Sequence, residues 1–244
     1  MTTLKVRGFA LIAAMLTAAA TAGCENPADN VAPATVNAPA AAPKDVAHDA
    51  SKPASKTAPA APAATTAAPA AGTSKALAYS PDSKVEFVGS KVTGKHEGGF
   101  KAFTGGVELA DGKAEVAKVT ADIDMASTYT DNEKLTGHLK APDFFDVAKY
   151  PKATFVSTEI KTGGEKGATH TITGDFTLHG VTKSISFPAK VEVTGDAVKI
   201  SSEFFIKRKD FGISYPGMTN DLIRDEVVIK LTLTSPRTKA VAKS

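Results

Sequence analysis

From Tyr79 onward the chain alternates apolar and polar residues with a period of two, a pattern that admits little besides antiparallel sheet with one buried face. Val119, Ala121, Ile123 and Met125 alternate with Thr120, Asp122 and Asp124, and Ile172, Gly174, Phe176 and Leu178 with Thr171, Thr173, Asp175 and Thr177. The same rule holds over 198–206 and 227–233. Runs at 85–92, 100–109, 154–160 and 181–193, the last bent near Pro188, bring the expectation to about eight strands. Turns are expected at Gly105-Gly106, Asp111-Gly112, Gly163-Gly164 and Gly195-Asp196, where positive φ is cheap. Residues 130–140 do not alternate and predict one short helix, with Thr130 or Asp131 as N-cap and Pro142 as the stop. The predicted class is therefore all-β, either a closed eight-stranded antiparallel barrel or a two-sheet sandwich. Closure removes exposed edges and leaves an interior that holds one small ligand.

The first 76 residues have a different character. Residues 1–23 read as a signal peptide: Lys5 and Arg7, an apolar run from Phe9 to Ala20, and the small-residue exit Thr21-Ala22-Gly23 before Cys24. Cys24 is the sole thiol of the sequence, so the exported domain has no internal disulfide. The exit resembles the bacterial lipobox, with Thr21 in place of the usual Leu. That resemblance implies acylation of Cys24 and a membrane anchor, with cleavage by the ordinary signal peptidase as the alternative. Glu25 lacks the Asp linked to inner-membrane retention, which favours the outer membrane within a periplasmic or envelope location. Residues 25–76 contain 20 Ala and 8 Pro with few large apolar side chains, too little to offset backbone ordering. With Cys24, this stretch is expected to be a disordered linker 24–76, extended by Ala-Pro steps over tens of Å to beyond a hundred. One barrel domain is expected over 77–236, and a basic flexible tail over 237–244.

Charge narrows the function. Residues 77–236 carry 20 basic and 22 acidic side chains, so the positive balance belongs to the ends, and no concentrated basic face marks the domain as a nucleic-acid binder. His96, His138, His170 and His179 are scattered without metal-ligand spacing, so no metal site is expected. Neither a Gly-x-Ser-x-Gly elbow nor a phosphate-binding Gly-rich loop is present, and the expectation is a binding protein without catalytic residues or cofactor.

The stretches HLKAPDFFDVAKYPKATFVST (138–158) and GDFTLHGVTKSISFPA (174–189), followed by KRKDFGI (207–213) and RDEVVIKLTL (224–233), resemble in order and spacing the YceI-like family of exported bacterial proteins. The similarity covers about residues 79–235. It implies a lipocalin-like barrel holding a polyisoprenoid or quinone-type lipid. Gly137 stands where the family more often has Asp, and the 95–100 run KHEGGF belongs to a subgroup pattern, which leaves open a preferred ligand different from that of better-known members.

An apolar chain needs a dry lining, at about 0.8 kcal/mol for each buried CH₂. Candidates on the apolar faces are Phe87, Phe103, Ile123, Phe155, Phe176, Leu178, Phe187, Phe204 and Ile229, which would otherwise fill a closed core. Asp143-Phe144-Phe145-Asp146 offers either a mouth or a plug, and His179-Gly180 a hairpin corner. The expected partners are the isoprenoid lipid and the membrane. Oligomeric state stays open, with a dimer among the possibilities.

Overall fold

The computed structural model describes residues 26–39, 76–110, 115–165, 167–218 and 221–237. The expected signal peptide, Cys24, the Asp111-Gly112 turn and residues 238–244 lie outside these. In chain order the strands are β1 (Ala32–Pro33), β2 (Thr35–Asn37), β3 (Leu77–Ala78), β4 (Lys84–Lys91), β5 (Gly94–Phe100), β6 (Phe103–Leu109), β7 (Val116–Asp124), β8 (Thr128–Thr130), β9 (Lys152–Thr162), β10 (His170–Leu178), β11 (Val181–Val193), β12 (Ala197–Lys207), β13 (Gly217–Met218) and β14 (Asp221–Pro236). The helix α1 spans Glu133–Leu139, and short 3-10 turns cover Met125–Ser127 and Arg208–Phe211.

Eight staves make the wall, because β5 with β6 and β7 with β8 are two strands each broken by a kink. Across the kinks the ladder continues: Asp124 N–H donates to Ala102 O and Lys101 N–H to Ser127 O. Around the wall, β4 pairs with β5, the β5–β6 stave with β8–β7, β7 with β9, and then β10, β11, β12 and β14 follow, with β14 returning to β4. The ring closes, as the barrel alternative requires. Inward residues alternate as expected; on β12, Val198, Ile200, Phe204 and Ile206 are all buried.

Several local expectations are corrected. Gly105-Gly106 is not a turn but lies within β6, paired with Ala121 and Thr120. A Cβ on Gly105, whose φ is +133°, would meet Thr120 O at 2.2 Å, so the glycine permits close approach of two backbones rather than reversal. Strand β5 escaped the alternation rule because Gly98 and Gly99 occupy it, again where neighbouring atoms leave no room for a Cβ. The α1 N-cap is Asn132, whose side chain accepts from Leu135 N–H, while Thr130 Oγ1 instead bonds Asn132 and Thr136. The turns at Gly163-Gly164 and Gly195-Asp196 fall where expected, and the 178–181 hairpin turns on His179 (φ 52°) and Gly180 (φ 75°). Arg237, assigned to the tail, donates its N–H to Asp196 O.

The larger correction concerns the linker. Residues 26–39 pack on the barrel: Ala28 and Val31 cover Val88, Val228 and Phe205 on the outside, and β1 and β2 join the wall. Composition misled here because such contacts use small side chains, which count little toward a core but suffice to cover a sheet face.

Candidate ligand cavity

Inside the barrel lies an apolar cavity of about 320 Å³, at the low end of the roughly 300–1,000 Å³ usual for ligand pockets. Phe87, Ile123, Phe155, Phe176, Leu178, Phe187, Phe204 and Ile229 all face it. Phe103 does not: its ring packs on Tyr79, centroids 6.1 Å apart, and Tyr79 faces the cavity instead. Phe103 sits opposite inward-facing Ile123 and packs against the core behind Tyr79. The Tyr79 hydroxyl donates to Thr120 O at 2.9 Å, and burial pushes its pKa well above the ordinary value.

Backbone geometry sets where the rings lie. A Cβ at Gly98 would meet Phe87 Cζ at 2.7 Å, and one at Gly174 would meet Phe155 Cζ at 2.5 Å, so each ring lies against a glycine on the neighbouring strand. Phe155 leads to Phe187 at 5.7 Å and Phe187 stacks on Phe204 at 4.3 Å. These are dispersion surfaces without hydrogen-bonding groups, suited to an apolar chain.

One end is capped by α1, the turn after it and the Arg208–Phe211 segment. Leu135 and Leu139 of α1, with Phe144 and Phe145, reach the cavity, so the DFFD motif is both plug and lining. Asp143 caps the outside, 2.8 Å from His138 Nε2, and this hydrogen bond holds its carboxyl below the ordinary range. The His138 ring also packs edge-on against Tyr215, centroids 4.8 Å apart.

The same end carries polar groups that alternation does not reveal. Lys91 and His96 face the cavity, the latter 2.9 Å from Asp131. Buried Arg208 donates to the carbonyls of Ile213, Ile223 and Arg224, and burial lowers its pKa while Asp225 opposes the shift. Arg224, in the bulge where β14 slips against β4, has a buried Nε without a hydrogen-bond partner. Their sequence signal was the KRKDFGI and RDEVV motifs, which no periodicity explains. Among the described residues no group of three His, Cys, Asp or Glu could hold a metal ion, and no helix is long and apolar enough to cross a membrane.

A closed antiparallel barrel around an apolar cavity defines a lipocalin-like architecture. The model of the YceI-like domain matches residues 79–235, and the chain belongs to that family. A UPF0312 protein of Pseudomonas putida strain W619 is 36% identical over 139 residues, covering 54% of this chain and 71% of the relative. Among solved structures, Burkholderia cenocepacia BcnA is 29% identical with a TM-score of 0.56, covering 63% of this chain and 96% of BcnA. A polyisoprenoid-binding domain from Saccharophagus degradans shares the fold, with 18% identity and a TM-score of 0.53 over 67% of this chain and 100% of that domain.

Proposed function

We propose that this protein is an exported lipid carrier that holds a polyisoprenoid or quinone-type lipid in the barrel interior, anchored to the envelope membrane through an acylated Cys24, with no cofactor beyond that lipid. The observation that carries this is the apolar cavity lined by Phe87, Phe155, Phe176, Phe187 and Phe204, a surface that gains by burying methylenes. The polyisoprenoid-binding domain of the same fold supports the ligand class, and the leader supports the location. The chain bearing Cys24→Ser, purified from bacteria without detergent and extracted with organic solvent, is expected to yield near-stoichiometric isoprenoid by mass spectrometry. A folded protein that is empty and takes up neither quinones nor polyprenols would overturn the reading. Wild-type protein is expected in the membrane fraction and Cys24→Ser in the soluble one; identical fractionation would remove the anchor.

A further inference from the structure

Strands β11 and β12 pair only near their hairpin, Lys190–Val193 with Ser201–Val198. Beyond Pro188, whose carbonyl accepts the Ser202 hydroxyl, they part, and β11 keeps only β10 while β12 keeps only β14. Residues 32–37 fill the wedge between them. Ala32 and Pro33 pair in parallel with Phe204 and Phe205, Ala34 N–H donates to Phe205 O, and Thr35, Val36 and Asn37 pair antiparallel with Ser186, Ile185 and Ser184. Their burial alternates as in a wall strand: Ala32, Ala34 and Val36 turn to the interior, while Pro33, Thr35 and Asn37 are exposed. Their ladder partners Phe204 and Ile185 line the cavity, as do the adjacent Phe187 and Ile206.

This seam of the barrel is weakly held. Pro33 has no N–H to donate, Ala32 and Ala34 bury little, and the ladder with β12 covers two residues where β12 and β14 pair from Ala197 to Lys207. Larger side chains flank the cavity at its two ends, with Phe144, Phe145 and α1 at one and the buried Leu233 at the other. Local opening is drawn from the least stable ladder, so the segment moves before the wall does.

We infer that residues 32–37 are a displaceable stave that closes a lateral slot between β11 and β12, and that the bound apolar chain enters and leaves the cavity through this slot. The inference rests on the lipid-carrier reading above. Thr35 and Ser186 face each other in register on the outer face, which suits a disulfide. The Thr35→Cys, Ser186→Cys protein, with Cys24→Ser to leave no other thiol, is tested with NBD-labelled geranylgeraniol. Oxidation is expected to slow probe uptake and release by roughly tenfold or more, with reduction restoring both, and Val36→Asp is expected to speed them. Equal rates in the oxidised and reduced forms would overturn the slot while leaving lipid binding intact. Absence of probe binding in both forms would instead overturn the carrier reading and the slot's cargo with it. Hydrogen exchange tests the stave alone: amides of Ala34 and Val36 are expected to exchange at least roughly tenfold faster than those of the β10–β11 ladder. Equal protection would overturn displaceability.

Discussion

Phe187 and Phe204 stack face to face, ring centroids 4.3 Å apart and planes 11° from parallel, across the line where β11 and β12 cease to pair. Side chains thus hold together what backbone hydrogen bonds do not. Each Phe→Ala change is expected to cost about 3 kcal/mol, since a large buried ring is lost beside an existing void. The double variant is expected to cost about 1 kcal/mol less than the sum, because the stacked contact is counted twice. Urea denaturation of the four proteins measures both quantities; strict additivity would mean the stack contributes nothing of its own.

Two glycines are expected to respond oppositely. Gly105→Ala adds a Cβ 2.2 Å from Thr120 O at φ +133° and is expected to destabilise by at least about 2 kcal/mol. Gly89 lines the cavity and a Cβ there meets nothing within 4 Å. Gly89→Leu is therefore expected to fold normally while its side chain occupies ligand space, lowering extractable lipid at unchanged thermal midpoint.

The cap helix is short and depends on its first turn. Asn132→Ala removes the side-chain acceptor for Leu135 N–H and is expected to cost about 1 kcal/mol, with Asn132→Asp or Asn132→Ser retaining most of it. Because Leu135 and Leu139 line the cavity, the loss is also expected to lower the amount of lipid that copurifies, read by mass spectrometry of the organic extract.

Acid is expected to loosen the same end. The His138 hydrogen bond depresses the Asp143 pKa on folding, so its stabilisation is complete above about pH 4, the ordinary carboxyl range, and disappears as pH falls through the depressed value. The pair is exposed and the effect small. Asp143→Asn is expected to flatten the acid limb of the denaturation midpoint against pH without changing the neutral region; an unaltered limb would assign it to other carboxylates.

Much of this architecture is legible in the alternation of residues such as Ile172, Phe176 and Leu178, since a wall with one dry face must repeat every two residues. The inward Phe positions follow from the same parity. Phe103 shares the inward parity of its partner Ile123, but its ring packs on Tyr79, which takes the lining position, and parity does not say which of two stacked rings meets the cavity. The polar end of the cavity was hidden for another reason: Arg208 and Arg224 sit in a turn and a bulge, where period-two logic stops. Strand β5 was hidden because Gly98 and Gly99 provide no side chain to alternate. Ala32, Pro33, Ala34, Thr35 and Val36 looked like spacer because strand membership there is decided by the unpaired edges of β11 and β12, not by their own propensity.

A stave drawn from the start of the presumed tether changes the protein's altitude. On the reading that Cys24 carries acyl chains, only the step to Asn26 separates the anchor from residues that already lie on the barrel, roughly 7 Å of chain. The barrel would then ride on the bilayer surface instead of floating on a leash. A lipid leaving the membrane would meet the barrel without crossing bulk water.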